Sequence, residues 1–262
     1  MTTDLPEASR AAEQAAYAAG THLLASRSRL AEVMVTHKRP GDVVGEIVRE
    51  ALALIREVVH KHFPEHGFLG DDSASHTLDG RPLWVVEPIN GSANYLRGYP
   101  QYAVSLALVL EGEPQVGVVY DPCRNEFFGA IRGRGAVLNG ALIRCAAPHA
   151  TLDALAATVF PRPTSPRMSS YMAELGRVLR GFGGVRRSGS AALEMAYLAA
   201  GRIDAFWEHD MGAWAAAAGI LLLRESGALV ESRDGEPLLL GGSLLACTPG
   251  VHDSFVELLA TH

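Results

Sequence analysis

The chain has only three cysteines, Cys123, Cys145 and Cys247, an odd number set far apart. That spacing excludes a disulfide framework and the closely spaced Cys or Cys/His sets that hold zinc. It fits a reducing, cytoplasmic setting. No apolar run reaches the roughly 20 residues needed to cross a bilayer; the longest lie around 191–200 and 214–223. The opening Met1-Thr2-Thr3-Asp4 has an acid and no apolar stretch, so no signal peptide is expected. Lysine and arginine never gather in long blocks, and 29 acids against 23 bases leave a formal net charge of -6. Neither a nucleic-acid footprint nor a membrane partner is expected. No internal repeat or low-complexity block stands out.

What remains is 262 residues, 48% hydrophobic and 20% charged, which suits a folded globule and excludes disorder. Residues 7–27 read as an alanine-rich amphipathic helix and 43–62 as a second, separated by the Pro/Gly-broken loop 37–42. A short apolar strand at 83–86 ends in Glu87-Pro88-Ile89-Asn90-Gly91-Ser92. Strands are predicted at 103–110, 115–120 and 126–131, with Gly133-Arg134-Gly135 and Asn139-Gly140 as turns. From 152 the pattern alternates. Strands at 154–160, 184–187, 204–208, 228–231 and 243–248 are interleaved with helices at 168–179, 191–200, 212–226 and from 251, and 161–170 reads as an exposed loop. A β-rich half (1–150) and an alternating α/β half (151–262) predict layered helices and sheets in one unit.

Several polar residues interrupt this pattern. Taken alone, Asp71-Asp72 after Gly70 suit a turn or cap, Asn90-Gly91 a tight turn, and Ser92 a helix N-cap. Glu87 ends an apolar strand, where an acid usually meets solvent. Trp207 and Trp214 read as core, and Cys123 beside Pro122 as structural. His209, directly after Glu208, and His37 in the first loop offer general acid–base chemistry near neutral pH.

Three segments, in this order, resemble the inositol monophosphatase family. They are Phe68-Leu69-Gly70-Asp71-Asp72-Ser73, then Trp84-Val85-Val86-Glu87-Pro88-Ile89-Asn90-Gly91-Ser92-Ala93-Asn94-Tyr95, then Phe206-Trp207-Glu208 with Trp214-Ala215-Ala216-Ala217-Ala218-Gly219. The family has Gly-Glu-Glu, Asp-Pro-Ile-Asp-Gly-Thr and Trp-Asp-x-Ala-Ala-Gly at these places. Gly133-Arg134-Gly135-Ala136 with Asn139-Gly140, and Gly189-Ser190-Ala191-Ala192, are further signatures. The resemblance implies a layered α/β fold, an α-β-α-β-α sandwich, and a homodimer. It also implies Mg²⁺-assisted hydrolysis of small phosphomonoesters.

The departures bear on that chemistry. By resemblance the metal ligands fall on Asp71, Glu87, the Ile89 carbonyl, Asn90 and Ala215. Mg²⁺ seeks oxygen ligands and is recruited by carboxylates, yet two of the four carboxylates are gone, both from one ion. One Mg²⁺ at most is implied, on Asp71, Glu87 and Ile89, or none. Gly45 and Val48 stand where the family has a Thr and a further Asp. Asp72 and Ser92 correspond to the water-activating pair. Gly91, Ser92 and Ala93 correspond to the phosphate-binding helix start, and Ala191 and Glu208 to the polyol site, with Asn90 beside them.

Three readings follow. The first is an enzyme repurposed to a non-hydrolytic or metal-independent reaction on a small phosphorylated polyol or related metabolite. Its proton-transfer groups would be Asp71, Asp72, Glu87 and His209, since clustered carboxylates raise one another's pKa. The second is a one-metal phosphomonoesterase, and the third a catalytically inactive ligand-binding pseudoenzyme.

Overall fold

Asp4 opens the first helix, α1 (Leu5–Ala25), by accepting a hydrogen bond from the Glu7 amide at 3.1 Å, with Pro6 in the first turn. The computed structural model describes residues 3–30, 40–70, 81–148, 150–235, 237–240 and 242–260, the side chains of 40–42, 213–215 and 240 excepted. The alanines of α1 make a narrow buried stripe, and α2 (Pro40–His62) packs beside it through Ile47, Ala51 and Ile55.

Both helices cover one face of a seven-stranded sheet. Its strands are β1 (Gly67–Leu69), β2 (Leu83–Asn90), β3 (Ala103–Leu110), β4 (Glu113–Asp121), β5 (Glu126–Ile131), β6 (Ala136–Leu138) and β7 (Ala141–Ile143), in that spatial order. Only β1 and β2 run parallel. A short helix, α3 (Ser92–Leu96), follows β2 directly. The three-residue strands β1, β6 and β7 lie where the sequence pattern assigns no element, being too short for alternation to show.

The second sheet has strand order β11-β12-β10-β8-β9, from β8 (Leu155–Thr158), β9 (Gly184–Arg186), β10 (Ala205–Met211), β11 (Leu229–Ser232) and β12 (Gly242–Cys247). Helices α5 (Ala191–Ala199) and α6 (Ala213–Ser226) fill the layer between the sheets, while α4 (Met168–Gly181) and α7 (His252–Leu259) close the far face. The result is the α-β-α-β-α sandwich. A Cβ at Gly117 on β4 would lie 3.0 Å from the Ala218 carbonyl, so glycine there lets the small-residue face of α6 rest on the sheet. Among the described residues no helix is long and apolar enough to cross a membrane.

On the far face of the second sheet, Glu174 is a buried charge with full compensation. Arg233 grips it bidentately at 2.8 and 3.3 Å, and His209 Nε2 lies 2.7 Å from its Oε2. Burial pushes the Glu174 carboxyl up, but the bonds from His209 and Arg233 outweigh that and hold it below the usual carboxylate range. A depressed carboxyl stabilises the fold above its unfolded value of 4.5 and loses that contribution as pH falls through the folded value. Removing the charge strands Arg233, so Glu174→Gln is expected to lower the thermal midpoint at pH 7 by roughly 10 °C. Melts at stepped pH should show the gap to the parent protein closing below about pH 4.5; a gap constant with pH would refute the assignment.

Candidate functional site

The end of β2 is shaped by proline. Pro88 has no N–H for the ladder, and the pairing with β3 shifts register between Glu87 and Asn90. In a regular strand, residues three apart face opposite sides. Here the irregularity turns both side chains to one side, and Asn90 Nδ2 donates to Glu87 Oε2 at 2.9 Å.

Asn90 is buried, and its other end is also engaged. Its Oδ1 accepts from Ser190 Oγ at 2.7 Å and from the Ala192 amide at 3.0 Å. Ser190 is the N-cap of α5 and accepts from the Leu193 amide at 3.4 Å. Asn90 thus satisfies an amide of the first turn of α5, a group that helix geometry leaves without an internal partner.

Gly91 follows with φ +98°, and a Cβ there would lie 2.9 Å from the Gln101 carbonyl and 3.3 Å from that of Gly189. Only glycine takes this left-handed turn at such close approach without strain. Gly91 is therefore the N-cap of α3, with Ser92 its first helical residue, which corrects the N-cap reading of Ser92. Ser92 and Ala93 are exposed at the helix start. Asn94 Nδ2 ties the rim together, donating to the Gln101 and Ser188 carbonyls at 2.7 and 2.8 Å.

Glu208 faces this site from β10. It shares the side of the strand that Phe206 presents to the middle layer, and its Oε2 has no hydrogen-bond partner among the described residues. Burial, helped by the Glu87 and Asp210 carboxylates, pushes its pKa up to about 8. Glu208 is therefore predominantly protonated at neutral pH and can donate a proton or hydrogen bond.

His209 is a correction. The strand runs on to Met211, so alternation sends His209 to the opposite face, with Trp207. There it contacts Glu174, Tyr171 and Ser243, away from Glu208 and Glu87. Asp71, Asp72, His37 and Lys38 lie outside the described residues, as does the side chain of Ala215. Ile89 and Ala191 are buried beside the network. Ser190 and Asn94 are the residues sequence reasoning left without a role, although a Ser just before an apolar helical run is an N-cap signal.

Residues 4–262 match the model of the inositol monophosphatase family. The chain belongs to that family. It is 38% identical over 235 residues to "Inositol-1-monophosphatase" of Rhizobium meliloti, covering 89% of this chain and 88% of that one. Against "Nus factor SuhB" of Escherichia coli the identity is 36%, over 84% of this chain and 83% of that one. The solved inositol monophosphatase of Anabaena superposes with a TM-score of 0.85 at 33% identity, over 98% and 96% of the two chains. The family binds phosphorylated small molecules and is generally Mg²⁺-dependent.

The donor set around Asn90 does not fit the second ion of a metal pair. Asn90 presents an N–H to Glu87 and turns its oxygen to α5, and the alanine side chain at 215 has no ligand atom. Among the described residues no three His, Cys, Asp or Glu side chains gather to hold a metal ion. Asn90→Asp would keep the α5 contact but set two carboxylates face to face. Without metal the variant should lose roughly 2–4 kcal/mol and melt about 5–10 °C lower. Mg²⁺ should raise its midpoint more than that of the parent chain. Equal melts with no metal response in the variant would contradict this account of Asn90.

Proposed function

We propose that this chain keeps the family's ligand-binding frame but acts without a metal pair, running a metal-independent, non-hydrolytic reaction on a small phosphorylated polyol or related metabolite. The observation that carries the reading is the commitment of both ends of Asn90 within the protein. Hydrolysis by a metal pair needs one ion to generate hydroxide and another to steady the leaving oxygen.

In this reading Gly91, Ser92 and Ala93 receive the phosphate and Glu208 with Ala191 the polyol. The 1–150 half supplies the phosphate end and the 151–262 half the polyol end, in a homodimer. The Glu87 carboxyl, together with Asp71 and Asp72, takes a proton from the ligand, and Glu208 returns one to a departing or neighbouring oxygen. Elimination of phosphate, isomerisation and cyclisation each balance this way without an oxidant, a reductant or an attacking water. Carboxyl groups held at different protonation states are the usual means of dividing acid from base. A second reading, a phosphomonoesterase with one Mg²⁺, is favoured by the presence of Glu87 and Ile89 together at the strand end.

Incubation with myo-inositol 1-phosphate and a panel of sugar phosphates, in chelator and then in Mg²⁺, separates these readings by phosphorus and proton NMR. The expected outcome is conversion in chelator to a product other than the dephosphorylated polyol, slowed about 100-fold or more in Glu87→Gln and Glu208→Gln. Free polyol and phosphate appearing only with Mg²⁺, and lost in Asp71→Ala, would replace this reading with the one-metal phosphatase. Binding without conversion under both conditions would leave a pseudoenzyme.

A further inference from the structure

A second concavity of about 410 Å³ lies between α1 and the β5–β6 turn, built by residues that have no part in the site above. Its volume is within the range of small-molecule sites, roughly 300–1,000 Å³. The floor is apolar: Phe127 and Val137 flank Gly129, where a Cβ would lie 3.0 Å from the Phe127 ring and 3.5 Å from Val137. Gly129 is therefore a notch between two side chains.

One wall is aromatic and held rigidly. Tyr17 stacks on Tyr120 with ring centroids 5.0 Å apart, and both hydroxyls donate to Asn125 Oδ1 at 3.0 Å. Asn139 pins the same corner, accepting from the Phe127 amide at 2.8 Å. Tyr17 nevertheless remains 48% exposed, its free side toward the groove.

Two opposite charges stand on the two walls. Glu13 projects from α1, one turn before Tyr17, and Arg134 from the β5–β6 turn. Neither makes an ion pair or a side-chain hydrogen bond among the described residues. An unpaired acid and an unpaired base, separated by an apolar and aromatic floor, complement one kind of small molecule. It carries an ammonium, a carboxylate and an apolar side chain. A simple cation or anion would satisfy one wall and leave the other charge facing its apolar part.

We propose that this groove is a second ligand site, for an apolar or aromatic α-amino acid in its zwitterionic form. The ammonium pairs with Glu13, the carboxylate with Arg134, and the side chain lies on Phe127, Val137 and the Tyr17 ring. The site is independent of the reaction assigned to Glu87 and Glu208.

The test is isothermal titration of the full chain with L-phenylalanine, 2-phenylethylamine and 3-phenylpropionate. L-Phenylalanine should bind saturably and each truncated analogue about tenfold more weakly, the loss of one charge-assisted contact. Glu13→Gln should weaken phenylalanine and phenylethylamine but not phenylpropionate. Arg134→Gln should weaken phenylalanine and phenylpropionate but not phenylethylamine. Gly129→Ala, which fills the notch, should weaken all three, and Glu87→Gln none. Both charged positions are exposed, so their variants fold. No saturation up to roughly 50 mM would overturn the proposal, as would equal binding of the three compounds or affinities that neither charge variant moves.

Discussion

The site is organised by one side chain, Asn90, which joins the two halves of the sandwich. Its amide N–H holds Glu87 on β2, and its oxygen holds Ser190 and the first turn of α5. A carboxylate here would accept the same bonds from α5 but would repel Glu87, and a cation would have to reconcile them. The asparagine reconciles them with its own hydrogen atoms. A buried polar group bonded at both ends rigidifies its surroundings, so Asn90 couples Glu87 on β2 to Ser190 at the start of α5.

Around that bridge the two sheets each contribute a carboxyl. The first sheet brings Glu87 and the α3 start to the cleft, and the second brings Glu208. Partner-poor burial lifts Glu208 to about 8, while its strand neighbour His209 is spent on Glu174 and Arg233 across the sheet. One strand thus carries an unpartnered buried carboxyl with a raised pKa on its inner face and a hydrogen-bonded charge cluster on its outer face. The cluster fixes α4, β10 and the segment at Arg233 to one another, and so holds the strand that presents Glu208.

Much of this was legible in the sequence. An alanine-rich amphipathic pattern marked α1, apolar runs marked β3 to β5, and three motifs in order marked the layered fold. The loss of acid at 90 and 215 was visible as letters, but its consequence was not. Only the structure shows the oxygen of Asn90 turned to α5. Ending β10 at residue 208 misplaced His209: the strand continues three residues further, to Met211, so alternation turns His209 to the face opposite its neighbour Glu208. The hairpin of β6 and β7 was hidden for a related reason. Strands of three residues between glycine and asparagine turns are held by their neighbours in the sheet, not by any pattern of their own.

The claim on which the account rests is that a metal pair has no place here. Its most direct test is a count of bound ions, by titrating Mn²⁺ into the full chain with inorganic phosphate present and reading free Mn²⁺ by electron paramagnetic resonance. The account predicts no more than one ion per chain, and the same count for the parent protein and Ser190→Ala. Two ions per chain, bound cooperatively with phosphate, would contradict it and return the chain to the hydrolytic chemistry of its family.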